Sequence, residues 1–143
     1  MEVIIRDIIE EDAEAVNTLS GQLGYIMPLE QTIANIRSVL ATKGHHAFVA
    51  VHENKIVGWI GVAEALQIEA PAFSEIRGLI VDERYRGSGI GKLLIEKVKQ
   101  WSTQAGNKTL RLRTSIVRKE AHLFYAHLGF KEIKEQKVFE MQV

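Results

Sequence analysis

The chain has 143 residues, 46% of them hydrophobic and 25% charged, which is enough for one globular domain with a substantial core. Eighteen Lys and Arg balance eighteen Asp and Glu, which argues against the basic excess of a nucleic-acid-binding protein. With no Cys, disulfides, thiolate metal sites and a cysteine nucleophile are excluded.

Taken in order, Val3 to Ile5 opens a first strand. It carries no apolar signal core with a basic flank, and no later apolar run reaches membrane-spanning length. A cytoplasmic protein with no membrane partner is the expectation. Glu11 to Gln22 reads as a helix, with Val16, Leu19 and Leu23 at helical spacing. Gly21, Gly24 and Pro28 break the chain before a second helix, whose apolar face is Leu29, Ile33, Ile36 and Leu40, ended by Gly44. Ala47 to His52 and Ile56 to Glu64 are β-rich runs joined by a turn at Glu53 to Lys55, a hairpin. After Pro71 a further strand covers Glu75 to Val81. A long helix follows from near Gly89 to about Ala105, with Ile90, Leu93, Leu94, Val98, Trp101 and Ala105 as its predicted buried stripe and Gly106 as its stop. Thr109 to Thr114 alternates as a strand, Arg118 to Leu128 reads as a helix ended by Gly129, and two short strands close the chain on Phe139, Met141 and Val143. The expected order is β-α-α-β-β-β-α-β-α-β-β, a single domain over residues 1–143 without repeat or linker. Strand-helix-strand crossovers require parallel pairing in the second half, and hairpins imply antiparallel pairing in the first, so the class is a mixed α/β sheet.

The most informative segment is Arg86, Gly87, Ser88, Gly89, Ile90 and Gly91, between the strand ending at Val81 and the long helix. Glycines there let the backbone take left-handed angles and approach a ligand closely. Free amides feeding a helix N-terminus make an anion site, so a phosphate or pyrophosphate is the expected ligand part. The loop is not a P-loop, because Gly91-Lys92 is followed by Leu93 and Arg86 stands where the first glycine belongs. Nor is it a dinucleotide fingerprint, whose third glycine would fall at Lys92.

What remains is R-x-x-G-x-G, and with this motif and the element order the whole chain resembles the GNAT superfamily of N-acetyltransferases. The resemblance implies a mostly antiparallel sheet with a central parallel pair that splays apart, and acetyl-coenzyme A as co-substrate, its pyrophosphate cradled by the loop. It implies that Leu79, Ile80 and Val81 hydrogen-bond the pantetheine arm, that the Leu79 main-chain N–H is the oxyanion donor, and that Arg86 to Lys92 meet the phosphates. Glu75 matches the general-base glutamate of some members. It lies four residues before Leu79, about 13 Å along the strand and on the same face, so it would act through water. Its other reading is a solvated strand-end carboxylate. Ala121 to Phe130 resembles the family segment A-x-x-F-Y-x-x-x-G-F, which makes Tyr125 the acid for the leaving thiolate; the other reading is a core aromatic. Where relatives often carry Asn, this chain has Ser115, whose shorter side chain reaches the cofactor arm through water.

Gln22 to Tyr25 together with Arg118 to Tyr125 resembles the subgroup that includes aminoalkylphosphonate and aminoglycoside acetyltransferases, which favours a small-molecule amine acceptor. The region from Gly21 to Leu29, with Tyr25 and Met27, is expected to shape its cleft. A protein lysine or N-terminus is the alternative acceptor. Two rivals stand outside the enzyme class: a non-catalytic acyl-coenzyme A sensor or interaction module, and a generic nucleotide-binding domain. No His pair has metal-site spacing, so no metal is expected. The apolar face of Val138 to Val143 can pair across a subunit boundary, as in several family dimers, which makes a homodimer an expectation.

Overall fold

Five strands join into one sheet in chain order: β1 (Ile4–Asp7), β2 (His45–His52), β3 (Lys55–Ala65), β4 (Phe73–Val81) and β5 (Leu110–Leu112). In this computed structural model, which describes residues 1–143, β1 to β4 pair antiparallel and β5 pairs parallel to β4. The helices are α1 (Ala13–Gly21), α2 (Leu29–Ala41), α3 (Ile90–Gln104) and α4 (Lys119–His127). The chain divides into two compact units, Met1–Leu112 with the sheet and α1 to α3, and Arg113–Val143 with α4. No helix is long and apolar enough to cross a membrane.

Period-two alternation places β2 residues on two faces. Ala47 and Val49 pack with Ala13 and Val16 of α1 and Ile36 of α2, whereas Phe48 lies under the Lys97 ammonium of α3, 5.7 Å from its ring centroid. One face of the sheet therefore carries α1 and α2, and the other carries α3. Arg6 of β1 holds Asp12, just before α1, by two hydrogen bonds of 2.8 Å, and the Ile9 N–H donates to the same carboxylate. Burial pushes the Asp12 carboxyl up, but the Arg6 pair and the Ile9 amide outweigh it and hold the group below the usual range.

The stripe of α3 is turned by one position from the predicted one. Ile90, Leu94, Ile95, Val98 and Ser102 are buried, and Leu93 is exposed. The reason is polar: the Ser102 hydroxyl lies 2.7 Å from Ser74 Oγ of β4 and 3.0 Å from the Asn107 carbonyl, and Asn107 Nδ2 donates to Ser74 Oγ at 3.2 Å. These three buried residues satisfy one another and tie the end of α3 to the start of the β4–β5 pair.

The two closing strands do not form. Residues 130–143 have no regular structure, and Val138, Phe139, Met141 and Val143 are exposed. Alternation marks one face of a strand, but a strand also needs a neighbour to pair its backbone, and these residues have none in the sheet. The remaining order, β-α-α-β-β-β-α-β-α, and the mixed, mostly antiparallel sheet with a parallel β4–β5 pair are those expected, but the pair lies at the edge of the sheet and not at its centre, because no closing strands add beyond β5.

Candidate active site

β4 pairs with β3 along its length, but with β5 only through Ser74, Glu75 and Ile76. From Arg77 to Val81 the β5 side of β4 therefore has no strand beside it. The N–H and C=O groups on that edge form a template for another extended chain. Leu79, Ile80 and Val81 lie there, with Ile80 buried and the other two half-buried.

A bulge starts this free stretch. Val62 pairs with Ile76 and Gly61 with Gly78, so Arg77 is an extra residue on β4. The extra residue changes the parity of the strand. Glu75 pairs with Ala63 and Leu79 with Ile60, three positions apart on β3, so their side chains lie on opposite faces. The same-face expectation for Glu75 and Leu79 is thereby corrected: period two holds only where no bulge intervenes. Glu75 shares the α1–α2 face. It is 6% exposed, the third residue of β4, and its carboxylate lies 3.1 Å from Arg77 Nε. A solvated strand-end carboxylate is therefore not what the structure contains.

On that same face the Trp59 indole lies across Gly61 and Gly78. A Cβ on Gly78 would sit 2.6 Å from Trp59 Cη2, so only glycine leaves room for the ring. Trp59 is partly buried against the α1–α2 core, and its buried Nε1–H has no partner within the chain.

Beyond Val81 the chain turns into the glycine loop. Asp82, 3% exposed, accepts from the Arg84 amide at 3.1 Å and from Arg84 Nη2 at 3.1 Å. Arg84 holds the Asp82 carboxyl below its usual range, against the smaller upward push of burial. Gln22, at the end of α1, bridges to this point: its Oε1 accepts from the Glu83 amide at 3.0 Å, and its Nε2 donates to Asp82 Oδ1 at 3.4 Å. Arg86 Nε donates to the Val81 carbonyl at 3.4 Å, and the Ser88 hydroxyl donates to the Tyr85 carbonyl. Two of the loop's side-chain donors are therefore engaged internally. The loop's capacity for an anion lies mainly in its backbone.

Gly87 and Gly89 take φ values of 81° and 88°, the left-handed region that favours glycine. Gly89 is the N-cap of α3 without a side-chain cap, and the first helical bond is Leu93 N–H to Gly89 O. The amides of Ile90, Gly91 and Lys92 therefore precede the intrahelical ladder, and the first turn has no acidic residue. Helix dipole and free amides together favour negative charge there.

In the second unit, Tyr125 on α4 packs against Phe124 and Phe130, with ring centroids 5.3 and 5.8 Å away. Burial pushes its phenol above the usual tyrosine range, with Arg118 pulling the other way. Ser115 shapes the turn into α4: its carbonyl accepts from the Arg118 amide at 3.1 Å and meets His122 Nε2 at 2.7 Å, and its hydroxyl accepts from the Val117 amide at 3.4 Å.

The structure thus brings Leu79, Ile80, Val81 and Arg86 to Lys92 to one end of β4, whereas Tyr125 and Ser115 belong to the other unit. Periodicity gives no sign of the packing of Trp59 on Gly78 or of the Gln22 bridge. Gly61, two residues after Trp59, and Gly78 in the next strand were the available signal, since glycine within a strand often marks close approach.

The acetyltransferase (GNAT) family model matches residues 9–130. The chain belongs to this family. It is 36% identical over 100 residues to N-acetyltransferase 8B of Homo sapiens, covering 67% of this chain and 43% of that protein. It is 32% identical over 88 residues to aminoalkylphosphonate N-acetyltransferase of Salmonella typhimurium, covering 61% of this chain and 57% of that protein. The GNAT chain thus spans about half the length of these relatives. An aminoglycoside N-acetyltransferase crystallised with CoA superposes with a TM-score of 0.89 at 20% identity, covering 99% of this chain and 96% of that one, which is a likeness of fold. No group of three or more His, Asp or Glu side chains is placed to hold a metal ion.

Proposed function

We propose that this GNAT chain transfers an acetyl group from acetyl-coenzyme A directly to the primary amine of a small molecule. The observation that carries this reading is the parting of β5 from β4 after Ile76. It leaves one strand edge that leads straight to the uncapped start of α3. That edge suits the amides of a pantetheine arm, and the helix start suits a pyrophosphate. Arg86, Gly87, Ser88, Gly89, Ile90, Gly91 and Lys92 are assigned to the phosphates, Leu79, Ile80 and Val81 to the arm, and Ser115 to a water-mediated contact. The family model runs through both units, which favours treating residues 1–143 as one catalytic domain.

In the proposed reaction the amine first gives up its ammonium proton, through water, to Glu75. Arg77 Nε lies 3.1 Å from this carboxylate and holds it in place, and the proton passes on to solvent. The amine nitrogen then attacks the thioester carbon and forms the C–N bond, while the carbonyl π pair moves onto oxygen and is met by the Leu79 N–H. The C–S bond breaks as the carbonyl re-forms. The thiolate takes a proton from Tyr125, the new amide nitrogen loses its extra proton to solvent, and solvent returns a proton to the phenolate. Tyr125 carries a proton at neutral pH, as an ordinary phenol does, and can supply it in this step.

The relatives named for aminoalkylphosphonates and aminoglycosides favour a small acceptor. The test is coenzyme A release, read as free thiol, against a panel of aminoalkylphosphonates, aminoglycosides, polyamines, amino acids and a lysine peptide. Turnover with a small amine is expected. Turnover with the lysine peptide alone would move the acceptor to proteins, and acetyl-coenzyme A binding without any turnover would make the chain a sensor.

A further inference from the structure

Three alternate rungs of the β3–β4 ladder face α1 and α2 around the bulge: Ala63 with Glu75, Gly61 with Gly78, and Trp59 with Ile80. The middle rung has no side chains, and the Trp59 ring lies over it, reaching Gly78 at the free edge of β4. Gly78 directly precedes Leu79, whose amide is assigned to the acetyl oxygen. The largest side chain on this part of the sheet therefore ends beside the reaction centre, and two glycines make room for it. Its Nε1–H has no partner in the chain, so packing alone holds the ring. What it offers a neighbour is shape and a π face, not a fixed hydrogen bond.

We propose that Trp59 determines which amines are acetylated. Resting on the acetyl-transfer reading above, its indole is the floor on which the acceptor's amino terminus sits, admitting a primary amine on an unbranched carbon and excluding α-branched and secondary amines. An indole face is the best aromatic partner for an ammonium, so the acceptor binds in its protonated form. The Glu75 rung lies two strand residues past the glycine rung, about 7 Å along the strand. A bound ammonium is therefore one water from the group assigned to take its proton. The floor then selects, and the carboxylate next to it activates.

The test compares three acceptors: an unbranched aminoalkylphosphonate, its α-methyl analogue and its N-methyl analogue. One misplaced methyl in a shaped pocket is worth roughly 10- to 200-fold in kcat/KM. The parent should prefer the unbranched amine by about that factor. Trp59→Leu should cut the preference below about 10-fold and raise KM for the unbranched amine about tenfold, with KM for acetyl-coenzyme A unchanged. Trp59→Phe should fall between. Binding is read independently in a Trp101→Phe background, where Trp59 is the only tryptophan. Its emission should respond, saturably, to the unbranched amine. If amines are turned over but Trp59→Leu lowers all three by one common factor, or the emission does not respond, the inference fails and acetyl transfer stands. If coenzyme A is never released yet the amine still perturbs Trp59, the subsite stands and acetyl transfer fails.

Discussion

Gly78→Ala is the substitution whose cost follows most directly from the coordinates. The added Cβ would lie 2.6 Å from Trp59 Cη2 and 2.9 Å from Cζ3, whereas carbon atoms settle at about 3.5–4.0 Å. The indole must move by about 1 Å, against a core that includes Ala47 and Val49. Overpacking of this kind costs about 1–3 kcal/mol. Alanine recovers about 0.5–1 kcal/mol, because glycine loses more backbone freedom on folding. The net expectation is a loss of about 1–2 kcal/mol, or about 3–6 °C in Tm for a chain of this size. Urea unfolding followed by circular dichroism measures it. The same change in a Trp59→Leu background should be neutral or slightly stabilising, giving a coupling energy of about 1–3 kcal/mol, the overpacking cost itself. A Gly78→Ala protein that unfolds at the parent midpoint, or that loses the same amount without the indole, would refute the packing described here.

Four further outcomes are expected. Tyr125→Phe should lower kcat by about 10²–10⁴-fold with KM values little changed, in the thiol-release assay. Gly89→Ala places a side chain at φ 88° and should cost about 1–2 kcal/mol in stability, together with a rise in the KM for acetyl-coenzyme A that Gly106→Ala, at φ 84° beyond the far end of α3, does not produce. Ser74→Ala removes the partner shared by Ser102 and Asn107, and should cost about 1–3 kcal/mol in urea unfolding. Asp82 and Asp12 have carboxyls held below their unfolded range, so the folded state binds those protons less readily. The stability they contribute is present above about pH 4 and is lost as pH falls through their folded values. Asp82→Asn should cost about 1 kcal/mol at pH 7, a modest figure because Arg84 is open to solvent, and should make urea midpoints less sensitive to acid below pH 4.

Where local chemistry and tertiary context agree, the sequence is readable. Gly87 and Gly89 stand where left-handed angles are needed, and the helix after them begins within a residue of its expected start. The hairpin at Glu53 and Asn54 follows the same logic, with both residues at positive φ. Context that periodicity does not encode produced the differences. Arg77 looks like any alternating strand residue, yet its place in the bulge moves Glu75 and Leu79 to opposite faces. Ser102 reads as polar and outward, but Ser74 and Asn107, 28 and 5 residues away in sequence, give it partners inside. Phe139, Met141 and Val143 alternate as a strand does, but pairing is a property of two segments, and alternation within one does not specify its partner. Backbone roles, such as that of the Leu79 amide, leave almost no trace in side-chain identity.

Calorimetric titration of the chain with acetyl-coenzyme A, and with ATP as competitor, decides whether the β4 edge and the glycine loop hold coenzyme A. Saturable one-to-one binding of acetyl-coenzyme A that ATP barely displaces, and that Gly89→Ala weakens, is the predicted result. No binding, or displacement by ATP at comparable concentration, would contradict the assignment of the β4 edge to a pantetheine arm and of the Arg86 to Gly91 loop to a pyrophosphate.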